Sequence, residues 1–395
     1  MKIGILSKYW PPASTDGIPR TRSLLAAGYA ALGHEVHVFT SGNTFQSDSY
    51  EGYNLHKIPS PKESIVFFPG QTYVNEMLTY SKCVHEAIQH LGGSNLLDII
   101  DTPLWEIEGF ATSTEIPEIP IVIRLDTTTK SSYIINNIPI DSKIDFANRL
   151  EVLFLNNAKG ILANSNSVIE ETAKLYNYDF SSKFIKVCYY GIPLPKIKEK
   201  PDNINPIILT VGRLEKRKGI PELLKMIPKV LDKYPNTEFI IVGKDNSNND
   251  GFFRETQMTY PEYFASENKN ISEKVKFLGY VNEESLEDKY SNADIVLLPS
   301  IFESFGMTYI EAMSYGKPVV AFDSGSASEV IKNNETGVLV EKGNVDDLAE
   351  TVLEILKDNN RRDEMGVKAR IHVENNFSVE NMINTSLEFY RRCLE

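Results

Sequence analysis

Short apolar runs alternate with helical stretches along nearly the whole chain, and few architectures satisfy that alternation. Lys2–Ser7 (KIGILS) reads as a buried strand. A Pro/Gly loop follows (KYWPPASTDGIPR), then a helical stretch from about Ile18 to Leu32, closed by Gly33. Glu35–Thr40 is the next strand, which completes one βαβ unit. Further apolar runs at Leu97–Asp101, Ile119–Leu125 and Gly160–Asn164 predict a parallel sheet covered by helices. Between Tyr190 and Asn205 the pattern stops, and the Pro-rich, charged stretch YYGIPLPKIKEKPDNINP reads as a linker. The alternation then restarts. Strands are expected at Pro206–Val211, Glu238–Val242, Val275–Leu278, Asp294–Leu298, Pro318–Phe322 and Gly337–Val340, and helices at about 346–358, 361–376 and 379–394. The expected class is α/β, with two Rossmann-like doubly wound domains over residues 1–195 and 205–377. The last helix, 378–395, is expected to pack back on the first domain.

Length supports that division, because 395 residues exceed one ordinary core. A net charge of −13 argues against a surface that coats nucleic acid, so no nucleic-acid partner is expected and any anion site must be built locally. The three cysteines, Cys83, Cys188 and Cys393, are too scattered for a disulfide framework or a zinc cluster. The opening run is too short for a signal peptide, and no apolar run reaches a membrane span. A cytoplasmic protein with at most peripheral membrane contact is expected. The runs at 65–68 (IVFF) and Tyr73–Tyr80 read as core or as acceptor-side wall.

Two stretches carry chemistry. In PSIFESFGMTYIEAMSYGKPVV, Glu303 and Glu311 flank the turn Ser304–Gly306, which feeds a helix over Met307–Tyr315 after a strand. A helix N-terminus at the carboxyl end of a parallel strand is an anion site. Singly, Glu311 is an ordinary helix-start glutamate. As a pair, the carboxylates can hold the hydroxyl-rich ends of a ligand with an anionic middle, the layout of a nucleoside diphosphate sugar. The second stretch, VGRLEKRKG, sets Arg213, Lys216, Arg217 and Lys218 against the single carboxylate Glu215. Arg213 can fork onto phosphate oxygens and Lys218 can act as a point charge. Lys216 and Arg217 read as a solvated turn.

Glu303-SFGMTYI-Glu311 with GRLEKRKG upstream resembles the retaining GT-B glycosyltransferases of family 4. Ile161–Tyr176, YYGI at 189–192, and VKFLGYVNEESLEDKYSNADIVLLPS at 275–300 fit the same family, so the resemblance covers most of the chain. It implies two Rossmann-like domains facing across a cleft, and a retaining hexosyltransferase. The donor would be a nucleotide sugar, a UDP-sugar first among the candidates. The acceptor would be a glycan, a lipid-linked or a small molecule. Arg213 and Lys218 would bind the diphosphate, Glu311 the ribose and Glu303 the donor sugar. Phe305, Gly306 and Met307 would offer backbone amides, and Gly243, Tyr280 and Val281 would line the base. Gly17 would approach the diphosphate, although this chain has Asp16-Gly17 where the family often has Gly-Gly.

Asp126, in VIRLDTTTK, stands at the end of an apolar strand, where the family often carries His. Two readings stand side by side. It caps the Thr-rich turn, or it is a catalytic carboxylate facing the donor sugar. Glu303, Arg213, Lys218 and Asp126 form the candidate catalytic set. No metal site is expected. GHEVH is not the zinc motif, and His85 and His90 do not share a helical face; turnover independent of divalent metal is expected because the cationic cluster at 213–218 and the helix N-terminus at 305–307 can together neutralise a leaving diphosphate. The absence of Gly-x-Gly-x-x-Gly before the first helix counts against a nicotinamide dehydrogenase. A GT-B-shaped nucleotide-sugar hydrolase or epimerase, and a non-catalytic sugar-binding protein, are the alternatives to transfer.

Overall fold

The computed structural model describes every residue except 13–16, 61–62 and 198–204. Asp16 and residues 198–204 of the expected linker therefore lie outside the described residues. The chain forms two compact units. One comprises Met1–Ser131, Ile140–Gly191 and Val379–Glu395, and the other comprises Ser132–Pro139 and Ile192–Ser378.

The first unit carries strands β1 (Lys2–Leu6), β2 (Glu35–Gly42), β3 (Gln46–Tyr50), β4 (Tyr53–Pro59), β5 (Ile99–Pro103), β6 (Ile121–Leu125), β7 (Gly160–Ala163) and β8 (Ile185–Val187). They form one sheet in the order β3-β4-β2-β1-β5-β6-β7-β8. All neighbours are parallel except the β3–β4 hairpin. Sequence reading missed that hairpin because QSDSY is polar throughout. Its signal is the two-residue turn Glu51-Gly52, where both residues take positive φ (48° and 84°), as a tight hairpin requires. β5 and β6 are buried at every position, because helices cover both faces.

The final helix, Val379–Leu394, belongs to this unit. Its face of Met382, Leu387, Phe389 and Tyr390 is buried there. A buried polar network ties it to the sheet. Arg124, in the middle of the apolar run IVIRL, donates from Nε to Asp101 Oδ2 (2.8 Å), and from Nη2 to Ser386 Oγ (2.7 Å) and Tyr390 Oη (3.1 Å). Arg22 pairs with the other oxygen of Asp101. The other donors of Arg124 are occupied by Cys188, Ser386 and Tyr390, whereas Arg22 Nη2 is buried without a partner among the described residues. The run Ile65–Phe68 departs from the expected core, since all four side chains are exposed.

The second unit carries β9 (Ile207–Val211), β10 (Glu238–Val242), β11 (Val275–Gly279), β12 (Ile295–Leu298), β13 (Val319–Asp323) and β14 (Gly337–Glu341). Its parallel sheet runs β11-β10-β9-β12-β13-β14. Each sheet therefore has one place where chain order turns around: β1 beside β5 in the first, and β9 beside β12 in the second. The loops leaving the carboxyl ends of such a pair form the crevice where open α/β sheets bind ligands. Among the described residues, no helix is long and apolar enough to cross a membrane.

Candidate active site

The second crevice gathers most of the predicted residues. The loop after β9 holds Arg213–Lys218, and the loop after β12 holds Pro299–Gly306. Gly219 presses the two together. Its φ is +68°, and a Cβ there would lie 1.7 Å from the Pro299 carbonyl oxygen, so only glycine allows this approach. The contact brings Lys218 to Glu303. Lys218 Nζ donates to Glu303 Oε1 at 2.5 Å, Ser300 Oγ donates to the same oxygen at 2.8 Å, and Arg217 Nη1 donates to Oε2 at 3.2 Å. Glu303 is buried. Burial alone would raise its carboxyl, but Lys218 and then Arg217 outweigh it and hold the group down at about 2.

Arg217 corrects the sequence reading. It was expected in a solvated turn, yet its guanidinium is buried between Glu215 (Nη2 to Oε1, 2.9 Å) and Glu303, and it also donates to the Phe302 carbonyl (3.2 Å). A run of charges looks solvated until the acids that match it are known. Lys216 is also paired, with Glu255 at 2.6 Å. Arg213 differs from both. Its side chain is 59% exposed, with its nearest carboxylate, Glu215, 3.6 Å away.

The helix after the β12 loop, Met307–Ser314, starts from Gly306 in the left-handed conformation (φ 82°, ψ 63°), so its first amides point out of the turn. Phe305 is buried and stacks edge-on against Phe377 at 5.8 Å. Glu311 lies within the helix and accepts from Tyr290 Oη at 3.1 Å. Gly243, at the end of β10, has φ +147°, and a Cβ there would sit 1.8 Å from the Gly212 carbonyl oxygen. The β9 and β10 ends thus meet backbone to backbone. Tyr280, 73% exposed, and Val281 follow β11 at the same edge of the sheet.

Gly17 and Asp126 lie in the first unit. Gly17 opens the helix Gly17–Ala31, and its carbonyl accepts from Thr21 Oγ1 at 2.8 Å. Asp126 follows β6 and is buried. Its Oδ1 accepts from Asn164 Nδ2 (2.7 Å) and from Tyr190 Oη. Its Oδ2 has no partner. Asp126 does not cap the Thr-rich turn, which corrects the capping reading, because partners distant in sequence claim the carboxylate. Burial pushes it above the ordinary aspartate value, against Tyr190, Arg22, Arg124 and Asn164. Among the described residues, no cluster of three His, Cys, Asp or Glu side chains could hold a metal ion.

The model of the family "Glycosyl transferases group 1" matches residues 195–372, the second unit with its site. An uncharacterized glycosyltransferase of Methanocaldococcus jannaschii is 27% identical and covers 100% of this chain and 99% of its own length. The sucrose-phosphate synthase of Thermosynechococcus elongatus superposes with a TM-score of 0.79 at 22% identity, covering 99% of this chain and 98% of that one. Anabaena HepE, solved in complex with UDP-glucose, superposes with a TM-score of 0.73 at 19% identity, covering 99% and 100%. The chain as a whole thus has the GT-B fold, and its residues 195–372 match the group 1 glycosyltransferases.

Proposed function

We propose that the chain transfers a hexosyl group from a nucleoside diphosphate sugar to an acceptor hydroxyl, with retention of anomeric configuration. The observation that carries this reading is the β9–β12 crevice. There an exposed Arg213 stands beside a buried Lys218–Arg217–Glu303 cluster and the N-terminus of a helix.

The parts divide the work as follows. Arg213 forks onto the diphosphate, Lys218 adds a point charge, and the amides of Phe305, Gly306 and Met307 face the same oxygens. These groups neutralise the leaving diphosphate without a divalent metal. Glu303 stays ionised at neutral pH. Three hydrogen bonds fill three of its roughly four acceptor sites, which leaves one for a donor-sugar hydroxyl. Glu311 takes the ribose hydroxyls, Gly243, Tyr280 and Val281 border the base, and Gly17 approaches the diphosphate. The free oxygen of Asp126 accepts from sugar hydroxyls and stabilises the cationic character of the transition state. In the step itself, the bond from C1 to the leaving phosphate oxygen breaks. The acceptor oxygen bonds C1 from the same face, and that phosphate oxygen takes the acceptor proton.

A UDP-sugar leads the candidate donors, supported by HepE's complex with UDP-glucose. Three free cysteines suit the reducing cytoplasm, where we place the reaction. The test is incubation with UDP-, GDP- and ADP-sugars, with and without acceptors, reading nucleotide release and the product's anomeric configuration by NMR. A retained glycoside, formed equally well in EDTA, supports the reading. An inverted product, or free sugar alone, overturns it.

A further inference from the structure

The helix Glu283–Asn292 joins the base edge of the second crevice to the helix that carries Glu311. Its amino end follows Tyr280 and Val281. Its last turn carries Tyr290, which is 2% exposed and meets the helix of Glu311 twice. The Tyr290 phenol donates to Glu311 Oε2 at 3.1 Å. Its ring stacks on Tyr315, with centroids 5.2 Å apart and planes 11° from parallel. Glu311 and Tyr315 lie four residues apart, so they share one helix face and a single ring can meet both. Lys317 Nζ donates to the Ser291 carbonyl at 2.8 Å, which fastens the end of the Tyr290 helix to the segment after Tyr315.

A glutamate is a poor partner for a ligand until its side chain is fixed. The carboxylate ends a flexible stem, and ordering that stem on binding costs free energy. Here the stem is ordered beforehand. A phenol on a carboxylate is a charge-assisted contact, and this phenol is held in place because its ring is buried and stacked. A carboxylate accepts at about four positions, so the tyrosine and a vicinal diol can share one. Glu311 is half-buried, so it touches both the packed tyrosine and solvent. Glu303 provides the contrast. The cations Lys218 and Arg217 pin Glu303, whereas a neutral hydroxyl pins Glu311. A neutral donor fixes the direction of a carboxylate without cancelling its charge.

We propose that Tyr290, backed by Tyr315, is a positioning residue that sets the Glu311 carboxylate for a ribose cis-diol, and so makes the site select ribonucleoside over deoxyribonucleoside diphosphates. The assignment rests on the reading above, in which Glu311 takes the ribose hydroxyls. The test uses the full chain and titration calorimetry. UDP, GDP and ADP are each compared with their 2′,3′-dideoxy analogues, and the base that binds the wild type most tightly is carried forward. The wild type should prefer the ribo form about tenfold or more, and Glu311→Ala should abolish that preference. Tyr290→Phe keeps the ring and the stack and removes only the donor. It should cut the preference about fivefold by weakening the ribo form, with affinity for the dideoxy form held within about twofold. Tyr315→Leu keeps the phenol and removes its support. It should lower the preference in the same direction, and it supplies the reading if Tyr290→Phe does not fold. A tyrosine that only packs would weaken both forms equally. Equal losses, or an unchanged preference in the folded tyrosine variants, would overturn the positioning role. A wild type that binds both forms alike, or a Glu311→Ala variant that keeps the preference, would instead remove Glu311 from the ribose. No binding of any of the three diphosphates would overturn the glycosyltransferase reading itself.

Discussion

Arg213 and Lys218 should give the same binding defect and opposite stability outcomes. A carboxyl held at about 2 instead of 4.5 corresponds to roughly 3 kcal/mol in favour of its ionised form. Lys218 is the largest favourable contributor to that balance. Lys218→Ala leaves buried Glu303 with Arg217 and Ser300 only, so the protein should lose roughly 2–4 kcal/mol. Arg213 faces water, and its pairing at 3.6 Å contributes at most about 1 kcal/mol. Arg213→Ala should therefore leave stability nearly unchanged. In the proposed roles each variant would lose one charged hydrogen-bond donor to the diphosphate, about 1.5–3 kcal/mol, so UDP affinity should fall roughly 10- to 150-fold in both. Urea denaturation gives the first quantity and titration calorimetry with UDP the second. The Lys218 contribution should be fully present above the unfolded-state value of 4.5 and should vanish as pH falls through about 2. The double change Lys218→Met with Glu303→Gln should recover part of the stability and none of the binding. If Arg213→Ala destabilises as much as Lys218→Ala, or if both variants bind UDP like the wild type, the reasoning fails.

Burial raises Glu108, which follows β5, from 4.5 to about 7, so its folded state holds its proton more tightly. Stability should fall by up to roughly 3 kcal/mol as pH rises from 4.5 through 7, and Glu108→Gln should flatten that fall in thermal unfolding followed against pH. Gly243→Ala drives a Cβ into the Gly212 carbonyl at a φ that suits glycine, so it should cost roughly 3 kcal/mol of unfolding free energy and abolish UDP binding in calorimetry. Asp126→Asn should lower kcat roughly 100-fold with folding preserved; a normal kcat in the folded variant would remove Asp126 from the chemistry.

Much of the second crevice is legible from the sequence because its signals are local. Gly306, Glu303 and Glu311 sit at fixed offsets around one strand–turn–helix, and Arg213 and Lys218 flank one strand end. The repeated apolar runs fix the α/β class for the same reason, since each strand is buried on both faces and shows as a continuous apolar stretch. What escapes is set by distant partners. Arg217 looks solvated until Glu215 and Glu303 close around it. Arg124 looks like an interruption of IVIRL until Asp101 and the last helix supply its acceptors. Asp126 suggests a local cap, but Asn164 and Tyr190 reach it from 38 and 64 residues away. Tyr290 has no sequence signature, because its contact with Glu311, 21 residues away, exists only in the packed unit.

A crystal structure of the chain with UDP bound tests the central claim most directly. The account predicts the diphosphate in the β9–β12 crevice, with oxygens within about 3 Å of the Arg213 guanidinium, the Lys218 ammonium and the amides at Gly306 and Met307. A diphosphate bound elsewhere, with Arg213 and Lys218 left in their present pairings, would contradict it.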